Sequence, residues 1–152
     1  MDNTDNVTAI RRLSQQYAYT ALQMHETVAR RAGLPGTDHK YLGFFLQKGA
    51  MTAGELAALT GLTTGAVTGL VDRFEKKKLV KRRPAADDRR KVIIAPDTKA
   101  IMALLKPLYK TYRSKSEQLI ASFSDKELAV LEAYFRQAVA IMENTTHHLN
   151  NE

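Results

Sequence analysis

Residues 61–94 read GLTTGAVTGLVDRFEKKKLVKRRPAADDRRKVII, and the hydrophobic period changes partway along. Thr63 is a good N-cap, and Val67, Leu70, Val71 and Phe74 recur at helical spacing. This predicts an amphipathic helix over about 64–77. Beyond it, Leu79-Val80 and Val92-Ile93-Ile94 are short β-prone runs around a polar stretch, Lys81–Lys91. Pro84 and Asp87-Asp88 supply turn chemistry, so this half predicts a β-hairpin with a long basic tip.

Upstream, Thr52-Ala-Gly-Glu55 has the spacing of a capping box, in which Thr and Glu satisfy each other's backbone N–H groups. It predicts a short helix, Ala53–Thr60, broken by Gly61. Further back, Val7, Ile10, Leu13, Tyr17, Ala21, Met24 and Val28 step by three or four. They predict one long helix over about 7–32, stopped by Gly33 and Pro35. Thr37 or Asp38 is expected to cap a second helix with Tyr41, Leu42, Phe45 and Leu46 inward, ending at Lys48-Gly49. Downstream, Asp97 is expected to cap a helix over about 98–122, kinked at Pro107. Ser124-Asp-Lys-Glu127 is a second capping box, opening a helix to about His147 with Leu128, Leu131, Phe135, Ala138 and Met142 on one face. The tail, His147–Glu152, is expected to fray. The fold class is thus mainly α with a small β wing. Three long apolar stripes flank a small centre, more than one chain of this length can cover, which favours burial against a second copy.

The 152 residues carry 23 Lys and Arg against 16 Asp and Glu, a net charge of +7. The segment Arg73–Lys91 alone holds ten cations against three anions, while the rest of the chain has 13 of each. All the surplus charge sits in the predicted helix end and hairpin, which points to a polyanionic partner. There is no cysteine, so disulfides, thiolate metal sites and thiol redox sensing are excluded. The opening residues, Met1-Asp-Asn-Thr-Asp-Asn6, are acidic and polar and do not predict a signal peptide. No apolar run approaches the ~20 residues of a membrane span. The expected location is cytoplasmic, without membrane partners.

Two helices joined by a tight Gly turn form a helix-turn-helix, whose second helix fits the major groove of DNA. Thr63, Thr64, Gly65, Thr68 and Gly69 are small, so the backbone can approach base edges closely and the Thr hydroxyls and methyls can touch them. The same pattern also suits a helix pair packed through small residues. The ordered set Asp72-Arg73-Phe74-Glu75, Leu79-Val80-Lys81-Arg82, Asp88-Arg89-Arg90 and Val92-Ile93-Ile94 resembles the winged helix-turn-helix of the MarR family of bacterial transcription regulators. The helices on either side fit the family's order across nearly the whole chain.

The resemblance implies a homodimer on double-stranded DNA. Residues 1–32 and 97–152 would form a helical dimerisation lobe, and 37–95 a winged helix-turn-helix DNA-binding lobe. Thr63, Thr64 and Thr68 would face the bases, and Arg73, Lys76, Lys77 and Arg82 would contact or approach phosphates. Arg90 matches the family's wing arginine in or near the minor groove, with Arg89 beside it and Asp88 orienting it. A negative minor groove suits Arg, and a neighbouring Asp can hold the guanidinium. Two positions depart from the family: Lys78 and Ala100 stand where Gly is frequent. A left-handed Lys costs about 1–2 kcal/mol, so the recognition helix is expected to run on or end differently; Ala100 favours helix.

The function expected is a sequence-specific transcriptional regulator, a repressor on a pseudo-palindromic operator, with a small aromatic or anionic effector as a candidate releasing ligand. Tyr17, His39, Tyr41, Tyr109, Tyr112 and Arg113 are the candidate pocket residues, an aromatic wall with one cation; ordinary amphipathic packing explains each singly. Glu143 and His147 at i, i+4, followed by His148, sit at a polar helix end with no further ligand, so no metal is expected. No cofactor is expected. No phosphate-binding Gly loop or local nucleophile motif supports catalysis, and the chain reads as a non-enzyme. The competing readings are an architectural, nonspecific DNA binder and a winged helix that holds another protein.

Overall fold

A computed structural model describes residues 3–152. Met1 and Asp2, which open the polar N-terminal stretch and the range 1–32, lie outside the described residues. The element order is α1 (Asn3–Arg31), α2 (Asp38–Lys48), β1 (Met51–Thr52), α3 (Ala53–Thr60), α4 (Thr64–Lys76), β2 (Val80–Pro84), β3 (Val92–Pro96), α5 (Thr98–Ala121) and α6 (Asp125–Asn150). The protein is mainly α with one small three-stranded antiparallel sheet, a winged helix-turn-helix flanked by long helices.

Both capping boxes form. Thr52 Oγ1 accepts from Glu55 N at 3.1 Å while Glu55 accepts from Thr52 N at 2.8 Å, and Ser124 and Glu127 repeat the exchange. Each such cap contributes about 1 kcal/mol. Gly61 closes α3 in the left-handed region, φ +70°, and its N–H reaches Ala57 O. A side chain there would be strained, so the tight turn between α3 and α4 needs this glycine.

The sheet order is β1-β3-β2. In the hairpin, Arg82 faces Ile94 and Lys81 faces Ala95. The two-residue β1, too short to leave a period in sequence, pairs Met51 with Ile94 and Thr52 with Ile93. It ties the start of the helix-turn-helix to the wing.

Two compact units divide the chain, one through Tyr109 and one from Lys110 to Glu152. The core lies in the first. Ala29 and Leu34, Leu42 and Phe45, Leu56, the inner face of α4, Leu79, Val80, Ile94 and Ile101 form one buried cluster. Ala100 packs against it, as a small helical residue can. Leu46, expected inward, is exposed.

Several boundaries differ from expectation. Among the described residues α1 already includes Asn3, a polar turn that leaves no apolar period to read; Asp5 there suits the helix dipole. α6 runs to Asn150 instead of fraying from His147. Asn151 Nδ2 donates to His147 O at 2.6 Å, serving one of the orphan carbonyls, and His148 Nε2 lies 3.0 Å from the Glu152 carboxylate beside it. α5 continues past Pro107 to Ala121. Of the α1 stripe, Val28 is buried, but Val7, Ile10, Leu13 and Tyr17 are exposed in the single chain. α6 buries none of its side chains fully.

Candidate nucleic-acid interface

The inner face of α4, Val67, Leu70, Val71 and Phe74, is buried, and Phe74 meets Phe45 edge-on at 6.1 Å. The outer face is therefore set: Thr63, Thr64, Gly65 and Thr68 are exposed, while Gly69 is half-buried. Thr63 Oγ1 accepts from Ala66 N at 3.2 Å, which anchors the helix start. Thr68 Oγ1 donates to Thr64 O at 3.1 Å. Its one proton is thus engaged, leaving acceptor lone pairs and a methyl.

α4 ends at Lys76, and Lys78 is left-handed with φ +58°. The expectation that the helix would avoid this conformation is corrected. Lys78 N donates to Glu75 O and Leu79 N donates to Phe74 O, the paired closure of a Schellman end. Leu79 and Phe74 are both buried and are the apolar contact that accompanies it. Burial of Leu79 outweighs the ~1–2 kcal/mol of left-handed strain. α1 ends the same way through Gly33, with Leu34 N donating to Ala29 O.

Asp38 is not a cap either. Thr37 occupies the N-cap position without a side-chain hydrogen bond. Asp38 is fully buried and accepts a bidentate pair from Arg73, Nε to Oδ2 at 3.1 Å and Nη2 to Oδ1 at 3.0 Å. The cap signal in sequence belongs to a carboxylate whose partner is 35 residues away. Arg73, expected near phosphates, thus ties α4 to α2 through Nε and Nη2, while its side chain stays 44% exposed. Arg82 is paired within the fold as well: Nη2 donates to Asp72 at 2.7 Å and Nη1 to Glu75 at 2.8 Å. The Asp72 hydrogen bond, opposed by burial and reinforced by Glu75, raises the Arg82 pKa further above its ordinary value.

In the wing, Asp88 Oδ1 accepts from both the backbone N of Arg90 at 3.0 Å and its Nε at 3.2 Å. The tip is closed by Ala85 N to Lys91 O and Lys91 N to Asp88 O. Arg90 remains 92% exposed, so its guanidinium is aimed from one side and open on the other. Arg89, Lys76 and Lys77 are exposed.

The six candidate pocket residues are only partly brought together. His39 and Tyr109 converge, but on a residue that the sequence reading missed, His25. Its Nδ1 lies 2.5 Å from Tyr109 Oη, and its ring stacks on His39 at 5.2 Å and 13°. The contact spans 84 residues and leaves no local motif. Desolvation, followed by the repulsion of His39, pushes the His25 pKa below 6.5. Tyr41 is instead a core residue, Tyr17 and Tyr112 are exposed, and Arg113 pairs with Glu117 at 2.8 Å. Among the described residues there is no group of three or more metal-ligating side chains, and no described helix is long and apolar enough to cross a membrane.

The sequence model of the MarR family matches residues 32–91, from just after α1 to the residue before β3. The uncharacterised HTH-type transcriptional regulator YcgE of Bacillus subtilis is 38% identical over 125 residues, covering 82% of this chain and 80% of that protein. Among solved structures, a MarR family protein from Bacillus stearothermophilus superposes with a TM-score of 0.72 at 24% identity, covering 94% of this chain and 99% of that one. A mutant MarR from E. coli complexed with operator DNA gives 0.55 at 19% identity, covering 91% and 99%. With the helix-turn-helix of α3 and α4 followed by the β2–β3 hairpin and its Asp88-held Arg90, these likenesses make the chain a member of the MarR family.

Proposed function

We propose that the protein is a homodimeric, sequence-specific DNA-binding transcriptional regulator, acting as a repressor on a pseudo-palindromic operator. The observation that carries this is the placement of the entire +7 surplus on one helix end and one wing, with Arg90 92% exposed and held by Asp88. Thr64 and Thr68 read base edges in the major groove with Thr63 beside them, and Lys76 and Lys77 approach phosphates. Arg90 enters the minor groove, flanked by Arg89. The likeness to an operator-bound E. coli MarR mutant supports the same reading.

Dimerisation belongs to residues 1–32 and 97–152, and DNA recognition to residues 37–95. Exposed Val7, Ile10 and Leu13 on α1, and Val130, Ile141 and Leu149 on α6, support it. Apolar rows of this length on a monomer mark an interface. A two-fold axis then spaces the recognition helices about one helical turn apart, roughly 34–36 Å. The convergence of His25, His39 and Tyr109 supports release by a small aromatic or anionic effector.

The test is selection of bound duplexes from a random pool at about physiological salt. Enrichment of a two-fold symmetric site is expected. Recovery without a motif would make the protein an architectural binder, and no recovery would favour a protein partner.

A further inference from the structure

We propose that Arg82 is a positioning residue, which masks two carboxylates on the recognition helix and locks the wing strand to it, and is not a phosphate contact. The inference rests on the DNA-binding reading above. Asp72 and Glu75 lie three residues apart on α4, so they share a face. They are the acidic side chains of a helix otherwise displaying small residues and cations. Left open, two carboxylates would face a phosphate backbone, where juxtaposed like charges oppose binding.

Arg82 meets both at once, one nitrogen of its fork to each, at 2.7 and 2.8 Å. Its side chain is 33% exposed, less than either partner. Its backbone N also donates to Glu75 Oε2 at 3.2 Å. β2 is an edge strand, paired only with β3, so Glu75 satisfies an N–H on the outer edge of the sheet. Three hydrogen bonds therefore run from β2 to α4. They set the direction in which the hairpin leaves the helix, and hence where Arg90 stands relative to Thr64 and Thr68. With one N–H of each terminal nitrogen given to a carboxylate, the Arg82 charge is offset by two neighbouring anions, which weakens its pull on a phosphate. Lysine would keep the charge but not the fork.

A cycle of four proteins decides the matter: wild type, Arg82→Gln, Asp72→Asn/Glu75→Gln, and all three changes together. The affinity for the selected duplex is measured over a salt series, and amide hydrogen exchange is followed in β2 and β3. Arg82→Gln is expected to weaken binding about 10- to 100-fold in the wild-type background. In the Asp72→Asn/Glu75→Gln background, where no carboxylate is left to mask, the same change should cost less than about twofold, with an unchanged salt slope. Exchange in β2 and β3 should quicken in Arg82→Gln. An equal loss in both backgrounds, with a slope smaller by about one phosphate, would overturn the masking role in favour of direct contact. If the wild type selects no duplex, the functional reading fails on its own; hydrogen exchange then judges the lock, and unchanged β2 and β3 exchange in Arg82→Gln overturns it.

Discussion

Asp38 and Arg73 share two hydrogen bonds but not one environment: the carboxylate is 0% exposed, whereas the Arg73 side chain is 44% exposed. Substituting Arg73→Met leaves a buried charge without its partner, a change that costs about 3–5 kcal/mol. Substituting Asp38→Asn removes the buried charge, keeps the volume and returns a guanidinium to nearby water, at about 1–2 kcal/mol. The two variants should therefore differ by about 2 kcal/mol. For a chain of this length that separates their melting temperatures by roughly 4–8 °C. The double variant should recover part of the Arg73→Met deficit, since it strands no charge. Urea and thermal unfolding at one protomer concentration measure this directly, the fixed concentration removing the mass-action contribution of a dimer. If Asp38→Asn proves as damaging as Arg73→Met, the pair is not governed by carboxylate burial and the reasoning fails.

Arg90→Ala should weaken duplex binding strongly in a filter or fluorescence titration; unchanged affinity at moderate salt would refute the wing role. Thr68→Ala should alter which duplexes are selected more than nonspecific affinity, because its lone pairs and methyl are what face outward; an equal loss on all duplexes would refute base readout. Lys78→Gly should stabilise the fold by about 0.5–1 kcal/mol, the relief of a left-handed side chain less the added freedom of the unfolded chain, read as a higher urea midpoint. The depressed His25 pKa means that the unfolded chain binds protons first as pH falls. The associated stability is present above about pH 6.5 and is lost as pH drops toward the lower folded value. A pH series of melts should show that slope reduced in His25→Gln.

The legible parts of the fold were those carried by neighbours in the chain. Thr52 with Glu55, and Ser124 with Glu127, formed the boxes their spacing implied, and the 3/4 steps of Val67, Leu70, Val71 and Phe74 marked the buried face of α4. The hairpin followed from two β-prone runs and the turn residues between them. The local pairing of Asp88 with Arg90 was also within reach, two residues apart. The match to the MarR family came from the order of these same local motifs.

What lay beyond reach were partners brought together by folding. Asp38 has the residue type and place of a cap, yet burial beside α4 made Arg73 its partner. Arg82 reads as one more cation in a basic run until β2 lands against Asp72 and Glu75. His25 meets Tyr109 only because α1 and α5 meet. Lys78 adopts a conformation its own side chain disfavours, because the burial of Leu79 decides the balance. The helices, the wing and the location of the positive field are encoded locally, since capping, periodicity and charge density act over a few residues. Which charges pair within the fold is settled by packing, because ion pairing depends on distances and burial that are set when remote segments meet.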